Sequence, residues 1–159
     1  SHGTSVVIEG RPAPPGEETE RATRQQELRY AVLMRALLAD LGAMAEAPRM
    51  RFQGDMRPEY HEACVWVLLD DQRDARAALI AMRPVLVRHQ ALWPDIKVTL
   101  TFFAFENGRR YDIGHLEGDE IHDVGQLQSL SAAASSEPMS ALDRAFWGLD
   151  ENTTGATKR

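Results

Sequence analysis

Between His115 and Asp123 stand residue types that bind divalent metals: His115, Glu117, Asp119 and His122 offer the imidazole and carboxylate donors that suit zinc. Their spacing matches no established metal motif. On strand alternation His115 faces a core while His122 falls in a loop, so only a particular turn at Gly118 would bring them together. His61, between Glu59 and Glu62, could approach them across a sheet. Glu59-Tyr60-His61-Glu62 is also the compact set best suited to pass protons, though it reads equally as an ordinary strand entry.

Nucleophilic chemistry has less support. Serines 129, 131, 135, 136 and 140 lie in flexible or helix-starting sequence with no strained elbow around them. No glycine-rich phosphate loop, C-x-x-C or H-E-x-x-H is present. A metal-dependent enzyme using His115, His122 and Glu117 is therefore the alternative reading. The main one has no catalytic residue, no cofactor and no metal.

Charge gives a different clue. From Glu106 to Asp123 six carboxylates (Glu106, Asp112, Glu117, Asp119, Glu120, Asp123) face only Arg109 and Arg110, in a chain of net charge −6. Such a segment repels nucleic acid and attracts a basic protein, although many charge runs are simply solvated.

These residues are positioned by one hairpin. Asn107-Gly108 favours the positive φ angles of a type I′ turn, and the flanking runs, Ile96–Phe105 and Arg110–Leu116, are rich in β-branched and aromatic residues. Alternation places Val98, Leu100, Phe102, Ala104, Tyr111, Ile113 and His115 on the core side. Thr101, Phe103, Phe105, Arg110 and Asp112 then share the outer side, where two phenylalanines require either a cover or a partner.

Around the hairpin, Tyr30, Leu33, Met34, Leu37, Leu38, Leu41 and Met44 mark a helix that starts near Thr19 or Thr23, where Thr23 and Gln26 match a capping box. Met50–Gln53 reads as a strand, Gly54–Pro58 as its turn and Tyr60–Leu69 as a central strand. Asp70-Asp71 caps a second helix carrying Ala75, Ala78, Leu79, Met82, Val85 and Leu86, with Pro84 predicting a kink near Ala81. The order, αββαββ, predicts an α+β fold: a four-stranded antiparallel sheet with both main helices on one face, a permuted ferredoxin-like arrangement.

The outer sheet face has one candidate cover. Ser136-Glu137-Pro138 starts a short C-terminal helix with Met139, Leu142, Phe146 and Leu149 on one stripe, and Trp147 is a further aromatic anchor. The expected organisation is a disordered arm over 1–18 that includes a cloning remnant (SHGTS), the α+β domain over 19–123, and a flexible connection over 124–136. The C-terminal helix follows over 137–149, then a disordered tail over 150–159.

Cys64 lies among apolar neighbours and has no second cysteine to pair with, so it reads as a buried, inert thiol. No apolar run is long enough to span a membrane. The resulting expectation is a soluble, cytoplasmic, non-enzymatic binding or regulatory module that contacts a protein partner, basic or a second copy in a homodimer. Phe103, Phe105, Asp112, Glu117, Asp119, Glu120, Phe146 and Trp147 form its contact surface. An immunity-type inhibitor of a basic toxin or nuclease is a second alternative.

Overall fold

A stripe of Tyr30, Leu33, Met34, Leu37 and Leu41 is buried along one side of α1 (Pro15–Gly42). The structure, a computed structural model, describes residues 7–8, 11–12, 15–117, 120–121 and 135–149. α1 starts earlier than the capping-box pattern predicts. Pro15 supplies a pre-set helical φ, and Glu17 and Glu18 complement the positive end of the helix dipole, so Thr23 lies inside the helix. Ahead of it, β1 (Val7–Ile8) and β2 (Arg11–Pro12) pair with each other within the expected arm.

β3 (Met50–Arg57) and β4 (Glu62–Leu69) pair antiparallel from Met50↔Leu69 to Arg57↔Glu62. The turn expected at Gly54–Pro58 is instead strand as far as Arg57, and the reversal is made by Pro58–Tyr60 with His61 left-handed at φ 53°. Gly54 serves close packing here. A Cβ on it would lie 2.7 Å from Met34 Sδ on α1.

Asp71 caps a short turn at Gln72–Asp74 by accepting from the Arg73 amide at 2.9 Å, and α2 (Ala75–Leu92) follows. α2 continues through Pro84, which lies on its solvent side where water can serve the carbonyl that the proline leaves unbonded. Gln90 then fixes the exit: its Nε2 donates to the carbonyls of Trp93 and Ile96, and its Oε1 accepts from the Val98 amide.

β5 (Lys97–Glu106) and β6 (Arg109–Glu117) form the predicted hairpin, with Asn107 at φ 53° and Gly108 at φ 72°. Register follows the expectation from Glu106↔Arg109 to Phe103↔Asp112 and then shifts, because a bulge sets Gly114 rather than Ile113 opposite Phe102. Ile113 is still buried. Beyond the bulge Leu116 takes the core position opposite Leu100, and His115 lies opposite Thr101 on the outer side. The expectation of a core-facing His115 is thereby corrected.

The sheet is mixed. Among the described residues its order is β3-β4-β5-β6-β7, where β7 is Glu120–Ile121, and β8 (Ser135–Pro138) also pairs with β6. The all-antiparallel expectation fails at the centre: β4 and β5 run parallel, because α2 carries the chain back to the starting end of the sheet before β5 begins. Two antiparallel hairpins are thus joined side by side in sequence order. Both main helices lie on one face, as expected, and their apolar sides meet Val65, Val67, Val98, Leu100 and Phe102 in the main core. No described helix is long and apolar enough to cross a membrane.

The opposite face carries the C-terminal segment. The helix expected from Ser136 begins only at Ala141, since Ser135–Pro138 extends the sheet beside Arg109–Asp112. Ser140 and Asp143 then form a reciprocal capping box that starts α3 (Ala141–Phe146).

Candidate functional site

Outer-face residues follow from strand alternation. Asp55 on β3, Trp66 and Leu68 on β4, Phe103 and Phe105 on β5, and Arg110 and Asp112 on β6 all point away from the two main helices. Leu68, Phe103 and Trp147 form a second buried cluster, with Trp66, Phe105 and Leu149 packed against it. Phe103 is 4% exposed and Trp147 6%. Neither is free for a partner: of the cover and the partner that the sequence left open for Phe103, the structure supplies the cover, the chain's own C-terminal segment, whose Trp147 packs against it. Phe105 is half-buried, and Phe146 remains 44% exposed.

The rings make a closed circuit of near-perpendicular contacts. Centroids lie 6.1 Å apart for Trp66 and Phe103, 5.3 Å for Phe103 and Trp147, 5.2 Å for Trp147 and Phe146, and 6.3 Å for Phe146 and Trp66. Edge-to-face pairs of this kind add to simple area burial. Two side chains of β3 hold the end of α3 over the strand, Arg51 Nη1 donating to the Trp147 carbonyl at 3.3 Å and Gln53 Nε2 to that of Phe146 at 3.2 Å.

Beside the rings opens a cavity of about 330 Å³, lined also by Asp55, Asp112, Asp143, Arg110 and Leu142. Arg110 organises its charged end. Nη1 donates to Asp143 Oδ1 at 3.1 Å, Nη2 to Glu137, and Nε lies 3.2 Å from Asp112 Oδ1. One guanidinium therefore joins β6, β8 and α3. Burial works against its charge, but Asp112, Asp143 and Glu137 outweigh that and raise its pKa. For Asp143 burial likewise opposes ionisation, and hydrogen bonds from Ser140 and Arg110 prevail, so its pKa is lowered. At the far end Asp55 accepts from Arg57 Nε at 3.0 Å and from Trp66 Nε1 at 3.4 Å.

Comparison with family models, curated proteins and solved structures returns no match. The site must be read from its own chemistry.

Of the residues expected to bind a partner, the structure brings Phe103, Asp112, Phe146 and Trp147 to this cavity. Phe105 packs behind Phe103 at 5.6 Å between centroids. Glu117 is distant in register and pairs with Lys97 at 3.1 Å. Asp119 and His122 lie outside the described residues, and of Glu120 only the strand pairing with Glu117 is described. Among the described residues, which leave out the candidate ligands Asp119 and His122, no group of three His, Cys, Asp or Glu side chains converges. Glu59, Tyr60 and His61 are exposed around the β3–β4 reversal, while Glu62 faces Arg57 at 3.6 Å. The expected arm before residue 7, most of the connection and the tail after 149 also lie outside the described residues.

Cys64 is buried, 3.6 Å from the Thr101 hydroxyl, and burial pushes its pKa up, as an inert thiol requires.

Sequence reading missed Asp55, Arg110, Leu142 and Asp143 as site residues. Asp55 was hidden by the turn assigned to Gly54–Pro58. Strict alternation of Met50, Phe52, Gly54 and Met56 with Arg51, Gln53, Asp55 and Arg57 was the available signal.

Proposed function

We propose that this chain is a non-enzymatic protein-binding module whose outer sheet face, closed by its own C-terminal segment, receives a basic segment of a partner protein. The observation that carries this reading is the cavity itself, which joins an aromatic wall to three aspartates and a single arginine. Exposed Leu142 and Phe146 beside it add the apolar contact that gives a charged encounter its affinity. An inhibitor of a basic toxin or nuclease is one member of this class. The lone buried thiol agrees with a cytoplasmic setting.

The test is fluorescence anisotropy with a labelled decapeptide alternating lysine and glycine, against its glutamate counterpart. The lysine peptide should bind, more weakly as salt rises. Asp112→Lys with Glu137→Lys should weaken it about tenfold or more, a loss of about 1.4 kcal/mol. Equal affinity for both peptides defeats the proposal. Sedimentation of the protein alone tests the homodimer reading separately: a monomeric mass at assay concentration rules it out there.

A further inference from the structure

The two ends of the sheet are finished differently. Beyond β6 it closes with short pieces, β7 over Glu120–Ile121 and β8 over Ser135–Pro138, the second carrying a proline. Short strands and proline keep an edge from pairing with another chain. At the other end the sheet stops at β3, a strand of 8 residues paired with β4 from Met50 to Arg57 without a bulge. It contains no proline, and no described strand pairs with its outer edge. The C-terminal segment is held to it through the side chains of Arg51 and Gln53, not through its main chain.

Such an edge is a template for one more strand. Apolar side chains stand along it partly in water: Met50 and Phe52 are half-buried and Met56 is 46% exposed, all on the face of the two main helices. A second copy of β3 fits the edge in one register. Two identical strands related by a twofold axis pair antiparallel, and each turns alternate residues toward the other, so some residue must face its own copy. If that residue is Phe52, only Met50–Gly54 pairs. If it is Gly54, Arg51 stands opposite Arg57, and if it is Asp55, two carboxylates stand face to face; both arrangements repel. With Gln53 at the axis the pairing runs from Met50 to Met56, setting Arg51 opposite Asp55, Phe52 opposite Gly54 and Met50 opposite Met56. Existing ion pairs survive it. Asp55 holds Arg57 and Trp66 through Oδ2, and Arg49 beyond the strand stays with Asp74.

We propose that β3 is a homodimer edge: two chains pair antiparallel through Met50–Met56 about a twofold axis at Gln53, joining their sheets into one with both pairs of main helices on the same face. The contact covers Met50, Phe52 and Met56 and satisfies a main-chain edge that otherwise faces water. It is made at the end of the sheet rather than on its aromatic face, so it stands or falls without the protein-binding reading.

Sedimentation of the full chain, in a series reaching about 100 μM, well above the micromolar weak end of standard interfaces, should show a reversible dimer. Gln53→Lys and Gln53→Glu each set two like charges across the axis, so each alone should associate at least tenfold more weakly, and an equimolar mixture of the two should dimerise again. Oxidation reads the register independently. Facing residues of an antiparallel pair have Cα atoms about 4.5–5.5 Å apart, within reach of a disulfide, so Gln53→Cys should cross-link into a covalent dimer. Arg51→Cys should not, because it would lie roughly 13 Å from its own copy, and buried Cys64 stays out of the reaction. A native chain that remains monomeric throughout the series overturns the proposal. So does a dimer that Gln53→Lys leaves unchanged, a mixture of the two charge variants that stays monomeric, or cross-linking at Arg51→Cys in place of Gln53→Cys.

Discussion

Nε2 of His89 on α2 lies 2.6 Å from Oδ2 of Asp40 on α1, a polar tie between two helices that otherwise meet through apolar side chains. His89 is 4% exposed, and Arg88 adds a longer contact to the same carboxylate at 3.6 Å. The hydrogen bond from His89 is the main reason the Asp40 pKa is lowered, with partial burial opposing it and the charges of His89 and Arg88 assisting.

The pH dependence has a definite sign. A carboxylate whose folded pKa is below its ordinary 3.8 contributes stability that is complete above that value and lost as pH falls through the lowered one. Urea midpoints taken at about pH 7 and about pH 3 should therefore fall further for the native chain than for Asp40→Asn. Parallel acid limbs would show that the tie carries no linkage.

Gly54→Ala should cost about 1–2 kcal/mol, because the new methyl would meet the buried Met34 side chain of α1, at 2.7 Å from Sδ and 2.9 Å from Cγ. Met34→Ala opens that space. In a double-mutant cycle the pair should be less destabilised than the sum of the single changes, measured by chemical denaturation.

Gly108→Ala tests the turn. Space is open there, so its whole effect comes from the left-handed φ of 72°, about 1–2 kcal/mol for a residue with a Cβ. Gly16→Ala also meets open space, and its φ lies outside the left-handed region. It should not lower the melting temperature.

On sequence grounds Phe103→Asp with Phe105→Asp would disturb assembly more than folding. Burial of Phe103 under Trp147 reverses that expectation. Phe103→Asp alone should cost about 3 kcal/mol or more by placing a charge in an apolar cluster, and half-buried Phe105→Asp distinctly less. Denaturation of the two single variants checks the order.

Arg110→Met removes the cation that joins Asp112, Glu137 and Asp143. With Arg110 only partly exposed, the loss should fall near ~2 kcal/mol, between surface and buried ion pairs. Amide exchange should rise over residues 135–149 before the main core responds. Uniform loss of protection across both faces would mean that the C-terminal segment is no separate unit.

Local chemistry made much of the fold legible. Asn107-Gly108 dictates its turn because few residues tolerate two successive positive φ angles, and the stripes Tyr30–Leu41 and Ala75–Leu86 declare helices because only a 3.6-residue period gathers them on one side. Alternation along β4 correctly separates Trp66 and Leu68 from Val65 and Val67.

What the sequence could not decide was every choice between segments far apart in the chain. A strand's composition is the same whether its neighbour runs parallel or antiparallel, so the β4–β5 pairing awaited the placement of α2. The bulge opposite Phe102 moves His115 to the other face, since a one-residue shift inverts every side chain beyond it. The sequence offered the C-terminal segment as a cover for the phenylalanine-bearing face but not whether it docks on its own chain or on another; Trp147 lying against Phe103 decides for its own, a contact between residues on either side of a long connection.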